Sequence, residues 1–148
     1  MRKSFILLVL LVLVTVILYA APNDNTMKIT IGISSDSGNH TLSATLYDNS
    51  SSRALVELLQ KGPVTIDMHN YGKFEKVGEL PVSLPQNDTP TDTDSGDLIL
   101  YLGHRFVIYY DKNSWTFTQL GKVDDVSKPE LKRILGKGDV KAVLDLLK

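Results

Sequence analysis

The sequence predicts a mainly β domain, a closed β-barrel with two short capping helices. Runs of alternating apolar and polar residues recur along the chain and are separated by turn residues, which is typical of short strands. Only two segments combine a capping residue with a short apolar helical stripe. Many strands with few helices favour a closed barrel, because closure removes the exposed edges that an open sheet leaves.

The first two strands are predicted as a β-hairpin. Residues 27–33 alternate apolar and polar side chains, and residues 40–46 repeat the pattern. The segment between them, residues 34–39, is rich in Ser, Asp and Gly, which favour turns. The alternation and the turn together predict two antiparallel strands.

Two short helices are predicted from capping residues and apolar stripes. Asn49 and Ser50 can cap the first helix, and Gly62 follows its last turn. Its apolar stripe consists of Ala54, Leu55, Leu58 and Leu59. Ser127 can cap the second helix, which Gly136 ends. Its apolar side consists of Leu131, Ile134 and Leu135.

Further alternating segments raise the predicted number of strands to at least seven. They cover residues 64–68, 74–77, 97–102, 106–110 and 115–120. Residues 84–95 are polar and contain two prolines, so we expect a surface loop there. The apolar residues of the tail, from residue 140 onward, fit a strand or a helix. The turn at residues 136–139 favours the strand.

The first 21 residues predict a signal peptide or a signal anchor. Arg2 and Lys3 precede residues 5–21, a seventeen-residue run with no charge and one polar side chain. Leu18 is unfavourable at the −3 position of a cut after Ala20, and a helix of this length spans about 25 Å, so cleavage and an uncleaved anchor both stay open. In either case we expect the following domain outside the cytoplasm, secreted, periplasmic or tethered to the membrane by residues 5–21.

The rest of the chain is interpreted as one small domain. Residues 22–26 form a polar linker, and residues 27–148 form the barrel domain. Two of the 16 basic residues lie in the first 21, so 14 remain against 17 acidic residues, a net charge of −3. This balance excludes a strongly basic nucleic-acid binder. The absence of cysteine excludes both a disulfide scaffold and a bacterial lipid anchor.

No catalytic residue, metal site or cofactor is predicted. The acidic segment at residues 92–97 lacks the ligand spacing of a calcium loop. The three histidines, His40, His69 and His104, are 29 and 35 residues apart, which is unlike a zinc site. The serine-rich hairpin turn lacks the spacing of a nucleophile elbow. Residues 136–138 lack the surrounding strand and helix of a nucleotide-binding loop.

Aromatic residues are concentrated within 47 positions. They are Tyr71, Phe74, Tyr101, Phe106, Tyr109, Tyr110, Trp115 and Phe117. In neighbouring barrel strands such residues fill the core, or they line a shallow apolar pocket on the flank or mouth of the barrel, where Tyr hydroxyls orient a ligand. Tyr109 and Tyr110 are adjacent and so point to opposite faces of a strand. At least one of them is therefore expected outside the barrel interior.

Several short motifs follow one another in a fixed order. They are Leu46-Tyr47-Asp48-Asn49, Leu80-Pro81-Val82-Ser83-Leu84-Pro85, Gly96-Asp97-Leu98-Ile99-Leu100-Tyr101, Val107-Ile108-Tyr109-Tyr110, residues 117–125 and Leu135-Gly136-Lys137-Gly138. Their order and spacing resemble the bacterial and archaeal cyclophilin-like fold domains, small β-barrel proteins mostly without an assigned activity. The resemblance covers nearly everything from Met27 to the end. It implies an eight-stranded type of barrel with capping helices.

The same resemblance does not imply a reaction. Cyclophilins isomerise X-Pro bonds with an arginine next to a Phe-x-x-Gln-Gly-Gly pattern, whereas residues 64–71 contain no arginine. Gly103-His104-Arg105-Phe106 looks like the cyclophilin His-Arg pair, but it lies in a later turn without the Gln-Gly-Gly companion. The resemblance therefore indicates a fold, and an activity has to be argued from the site.

We interpret the chain as a non-enzymatic extracytoplasmic domain that binds a small molecule or a peptide on the barrel flank. By analogy of fold, Met68, Asn70 and Tyr109 are the predicted groove positions. One alternative is a peptidyl-prolyl isomerase with a non-standard site. Another is a module for protein contacts near the membrane. Neither a nucleic acid nor a cofactor is an expected partner, and the oligomeric state is left open.

Overall fold

The computed structural model describes residues 25–148, which form nine strands and two helices. In chain order these are β1 (Met27–Ser35), β2 (Gly38–Leu46), α1 (Ser50–Gln60), β3 (Val64–Tyr71), β4 (Glu75–Glu79), β5 (Thr89–Thr93), β6 (Asp97–Tyr101), β7 (Arg105–Tyr109), β8 (Asn113–Val123), α2 (Lys128–Leu135) and β9 (Val140–Leu146). The predicted leader, residues 1–21, lies outside the described residues. Neither α1 nor α2 is long and apolar enough to cross a membrane.

Eight of the strands form a closed antiparallel ring. Their order is β2-β1-β9-β3-β4-β7-β6-β8, and β8 pairs again with β2. This closing seam consists of the pairs Ala44↔Val123, Thr45↔Lys122 and Leu46↔Gly121. The strands approach so closely there that a methyl group on Gly121 would overlap the carbonyl oxygen of Thr45. The predicted fold class, a closed β-barrel with two short capping helices, is confirmed.

The core fills the inside of this ring because alternate residues of each strand point inward. On β1 the inward residues Ile29, Ile31 and Ile33 are buried. Both helices add apolar side chains to the same core, Leu55 and Leu59 from α1 and Leu131, Ile134 and Leu135 from α2. Since the described residues contain no cysteine, this packing stabilises the fold without disulfides.

The predicted helix caps are confirmed. The Asn49 side chain accepts a hydrogen bond from the Ser52 amide at 2.8 Å, at the N-terminus of α1. Ser127 accepts one from the Glu130 amide at 3.3 Å, at the N-terminus of α2. Gly136 ends α2 with a positive φ of 67°, a conformation that glycine adopts without strain. The ambiguous tail is a strand, β9, with alternating buried residues.

One prediction is wrong. Residues 84–95 are not entirely a loop, because β5 lies within them and pairs with the first half of β8. Pro90 lacks a backbone N–H group. It is accommodated because β5 is an edge strand and pairs with a neighbour on one side only. Thr91 and Thr93 are buried and alternate with exposed residues, as in other strands. The buried positions of β5 hold threonine instead of large apolar residues, so the alternation is not visible as an apolar pattern.

Strand β4 places two adjacent charged residues on opposite sides of the barrel wall. Glu75 points outward, while Lys76 points inward and is fully buried. The Lys76 ammonium donates hydrogen bonds to the carbonyl oxygens of Gly136 at 3.0 Å and Gly138 at 2.6 Å. Burial lowers the pKa of Lys76, an effect that nearby acidic groups partly oppose. Lys76 therefore ties β4 to the turn that precedes β9.

Candidate functional site

A pocket of about 350 Å³ lies on the outer face of the barrel, between β4, β6, β7 and the first half of β8. This volume is within the range of small-molecule sites. Six of its eleven lining residues are aromatic, namely Tyr71, Phe74, Tyr101, Tyr109, Trp115 and Phe117. The other five are Glu75, Val77, Arg105, Val107 and Asn113. We call this cavity the flank pocket.

The pairing of β4 with β7 determines which side chains face the flank pocket. In this antiparallel register Val77 lies opposite Val107, Glu75 opposite Tyr109 at one end, and Glu79 opposite Arg105 at the other. Outward side chains alternate with core residues along both strands. The pocket thus has an apolar middle, a carboxyl group at one end and a guanidinium group at the other.

Stacked rings form the wall at the carboxyl end. The rings of Phe74 and Tyr109 are 6.1 Å apart and nearly parallel, with an angle of 7° between their planes. Phe117 packs against Tyr109 at 5.8 Å, and Tyr71 meets Phe74 edge to face at 6.3 Å. Tyr109 and Phe117 are only 2% exposed and belong to a small apolar cluster separate from the barrel core. These contacts hold the wall in place without a ligand.

Glu75 is the buried acid of the flank pocket. It is 9% exposed, and burial raises the pKa of its carboxyl group, while a hydrogen bond from Tyr109 partly opposes the rise. Burial and the neighbouring Glu75 both raise the pKa of Tyr109, so its hydroxyl keeps its proton and donates. The Asn113 amide donates to the same hydroxyl at 3.2 Å. Among the ion pairs within residues 25–148, none includes Glu75.

The charge at the opposite end is balanced. Arg105 donates from Nε to a carboxylate oxygen of Glu79 at 3.1 Å. His104 contacts the other oxygen of the same carboxylate. The hydrogen bond with His104 lowers the pKa of the Glu79 carboxyl group, and the hydrogen bond from Arg105 lowers it further. Glu79 itself is exposed and does not line the flank pocket, so the two ends differ in electrostatic character.

The rim of the flank pocket is aromatic and open to solvent. Tyr71 is 65% exposed and Trp115 is 61% exposed, although both line the cavity. Trp115 lies opposite Thr91 in the pairing of β8 with β5. The Thr93 hydroxyl donates to the Asn113 carbonyl oxygen at 2.9 Å and fixes the start of β8. The unexpected strand β5 therefore supports one side of the pocket.

The structure does not bring the three predicted groove residues together. Tyr109 lines the flank pocket. Met68 points into the barrel core and is fully buried. Asn70 donates to the Lys137 carbonyl oxygen, accepts from the Tyr110 hydroxyl at 3.0 Å and borders a separate open depression. Ligand binding by these three residues stays a prediction.

The aromatic residues divide between pocket and core. Six of the eight line the flank pocket, whereas Phe106 and Tyr110 belong to the main core. The expected opposite orientation of Tyr109 and Tyr110 is confirmed, since Tyr109 lies in the outer cluster. Sequence reasoning missed Glu75 as a site residue. The signal was its position two residues before Val77, which puts a carboxyl group and an apolar side chain on one face of β4.

No group of three or more His, Cys, Asp or Glu side chains in residues 25–148 is arranged to hold a metal ion. His69 instead contacts Asp139, with 3.0 Å between Nδ1 and the carboxylate oxygen. His40 lies 3.0 Å from the Ser37 hydroxyl. The polar groups that line the flank pocket are the Glu75 carboxyl group, the Arg105 guanidinium group, the Asn113 amide and the tyrosine hydroxyls.

Comparison with known families agrees with this architecture. The model of the Cyclophilin-like family matches residues 36–145, which is more than half of the chain. A comparison with curated proteins found no match. The closed eight-stranded ring, the two helices and the family match lead to one conclusion: the chain belongs to the cyclophilin-like family.

Proposed function

We propose that this domain is a binding protein that holds a small molecule or a short peptide in the flank pocket and does not transform it. The observation that carries the proposal is a preformed cavity of about 350 Å³ with six aromatic side chains and one buried carboxyl group. Ligand sites are typically concave, mainly apolar and equipped with a few polar groups that orient the ligand. The flank pocket has each of these features.

Two polar groups of the flank pocket, the Tyr109 hydroxyl and the Arg105 guanidinium, favour binding over catalysis. The raised pKa of Tyr109 keeps its hydroxyl protonated, so it acts as a hydrogen-bond donor rather than as a nucleophile or base. Arg105 is engaged with Glu79. Both groups are better suited to orienting a ligand than to moving protons at neutral pH.

Trp115 provides a direct measurement of binding. It is the single tryptophan of the chain, and it lies at the rim of the flank pocket. A ligand that covers its ring should shift its fluorescence emission to shorter wavelength in a saturable way. The full-length protein should be titrated with small metabolites and with proline-containing peptides. A ligand at 100 times its dissociation constant should also add about 2.7 kcal/mol to the free energy of unfolding.

A matched pair of valine variants tests the location. Val77→Phe should fill the middle of the flank pocket and abolish the fluorescence change. Val143→Phe introduces the same side chain at a partly exposed position of β9 that does not line the pocket, and it should bind like the wild type. Equal binding by both variants, or no response from any compound, would count against the proposal.

A peptidyl-prolyl isomerase with a non-standard site is the second candidate, because Arg105 places a guanidinium group at an apolar pocket. Such a group can polarise an X-Pro amide through a hydrogen bond. A protease-coupled assay with proline peptides tests this activity. Acceleration that Arg105→Gln abolishes would support the isomerase, and an uncatalysed rate would eliminate it.

We further propose that the barrel domain lies outside the cytoplasm, released from or tethered by the N-terminal segment. The support is the positive start followed by the uncharged residues 5–21. Protease treatment of intact cells should digest the domain if it faces outward. Protection together with recovery in the cytosolic fraction would refute this location.

Outside the cytoplasm, the exposed rings of Tyr71 and Trp115 also suit contact with another protein. Such a partner should co-purify with the wild-type protein from solubilised cells and be lost in Trp115→Ala.

A further inference from the structure

We propose that the flank pocket selects an organic cation, an ammonium group on an apolar or aromatic body, with Glu75 as its counter-ion. This inference rests on the proposed binding function and names the class of ligand. It draws on three arrangements: a buried carboxyl group that has no basic partner among residues 25–148, aromatic rings around it, and nearby cations that pair with other groups.

The first argument is the charge on Glu75. Its side chain is 9% exposed, and Tyr109 is the hydrogen-bond donor that contacts it. A buried carboxylate with no opposite charge is unfavourable, because its hydration is lost and no Coulomb attraction replaces it. An ammonium group in the flank pocket would supply that attraction. Ligand binding would then remove a cost that the free protein carries.

The second argument is that the two basic side chains of β4 and β7, Lys76 and Arg105, already bind other groups. Lys76 is next to Glu75 in sequence but points into the barrel, where its ammonium donates to the Gly136 and Gly138 carbonyl oxygens. Arg105 pairs with Glu79 at the far end of β4 and β7. Arg105 lies four positions before Tyr109, the residue opposite Glu75, and four positions correspond to about 13 Å along a strand. Neither cation neutralises Glu75.

The third argument is the aromatic surface. The face of an aromatic ring attracts cations within about 6 Å of its centre, and groups of rings are used to bind ammonium ligands. Phe74, Tyr109 and Phe117 form one wall, while the exposed Trp115 and Tyr71 border the opening. These rings also bury the apolar body of a ligand. A carboxyl group combined with several rings thus favours a cation over other ligands of the same size.

Other ligand charges fit the flank pocket less well. An anion would be repelled by Glu75. A neutral apolar molecule would displace water from the carboxyl group and offer it no hydrogen bond, which costs free energy. The matched probes benzylamine, benzyl alcohol and benzoate separate these cases, because they share a ring and differ in charge.

The experiment titrates the full-length protein with these three probes and follows Trp115 fluorescence. We expect benzylamine to bind at least about tenfold more tightly than benzyl alcohol, and benzoate to bind more weakly than both. Glu75→Gln should remove the preference for benzylamine and leave the affinity for benzyl alcohol within about twofold. Glu57→Gln removes an exposed carboxyl group on α1, so the same loss of charge should leave the preference intact.

The outcomes distinguish the two levels of the proposal. Equal affinities for benzylamine and benzyl alcohol, or an unchanged preference in Glu75→Gln, would overturn the cation inference and leave the flank pocket as a binding site. If Glu75→Gln and Glu57→Gln both lose the preference for benzylamine, the preference depends on the overall charge of the protein. That result would also overturn the cation inference. If Val77→Phe and Val143→Phe bind benzylamine equally well, the probe sits elsewhere, and the proposed function fails together with the inference.

Discussion

Glu75 and Tyr109 are partners across β4 and β7, and both side chains lie on the outside of the barrel. The Tyr109 hydroxyl donates to the Glu75 carboxyl group, yet burial keeps the pKa of that carboxyl group above its ordinary value. The folded protein therefore binds the Glu75 proton more tightly than the unfolded chain does. Stability and ligand binding both depend on how this carboxyl group is charged.

The stability of the folded state should depend on pH through Glu75. Below the ordinary value of 4.5 the carboxyl group is protonated in both states and adds no cost. As the pH rises to the raised pKa, the unfolded chain ionises first, so the free energy of unfolding falls. Above the raised pKa the cost of burying the charge is fully present. Tyr109 and Tyr110 have raised pKa values and stay protonated throughout this window.

Urea unfolding at a series of pH values measures this effect. Glu75→Gln should show a flatter dependence between pH 4.5 and neutrality than the wild type, and higher stability at neutral pH. Glu57→Gln, which removes an exposed carboxyl group, should keep the wild-type slope. A wild-type slope in Glu75→Gln would show that the burial of this carboxyl group does not affect stability.

The two neighbouring aromatic residues of β8 should contribute very differently to stability. Phe117 is 2% exposed and packs on Tyr109, so Phe117→Ala should lower the free energy of unfolding by about 3 kcal/mol or more. Trp115 is largely exposed at the rim, and Trp115→Ala should change it by less than about 0.5 kcal/mol. Chemical denaturation followed by circular dichroism measures both. A large loss for Trp115→Ala would mean that the rim is part of the packed structure.

The seam of the barrel should be sensitive to a single methyl group. Gly121→Ala would bring its Cβ into overlap with the Thr45 carbonyl oxygen and force β2 and β8 apart, at a cost of about 1–3 kcal/mol or more. Gly138→Ala is the matched control, because no atom lies within 4 Å of the added Cβ. Thermal unfolding should therefore separate the two variants clearly. Similar melting temperatures would contradict the close approach at the seam.

The buried Lys76 should be needed for the turn before β9. Lys76→Met keeps the aliphatic length but leaves the Gly136 and Gly138 carbonyl oxygens without their donor, which should cost about 1–3 kcal/mol. Lys73→Met, at an exposed position, should stay within about 0.5 kcal/mol of the wild type. Hydrogen exchange should localise the effect to the turn. Unchanged protection there in Lys76→Met would argue against the proposed tie.

The strands and helices could be predicted because their signals are local. Alternation predicted both strands of the first hairpin, and Asn49 and Ser127 marked the starts of the helices. Strand β5 was missed because prolines and threonines resemble a loop unless the partner strand is known. Only the pairing with β8 shows that Pro90 lies on an edge and that Thr93 is covered.

The site could be predicted only in part, because its geometry depends on contacts between distant segments. The aromatic cluster was visible in the sequence, and so was the opposite orientation of Tyr109 and Tyr110. Which rings share a cavity depends on the order of β4, β7, β6 and β8, which no local pattern specifies. For the same reason Met68 was predicted as a groove residue by analogy of fold, although it lies in the core. The burial of Glu75 depends on the pairing of β4 with β7, which the local sequence does not indicate.

The adjacent charges of β4 also specify how this short strand can pair. Among its five residues, Glu75 points to the outer face of the barrel and Lys76 points to the barrel interior. A slip by one residue against β3 and β7 would reverse every side chain, placing a carboxyl group in the barrel interior and an ammonium group among the rings. In the misaligned sheet the carboxyl group would be buried without the Tyr109 hydroxyl, and the Gly136 and Gly138 carbonyl oxygens would lose their ammonium donor. The charges that serve the pocket and the turn thus also exclude the wrong alignment of the strand.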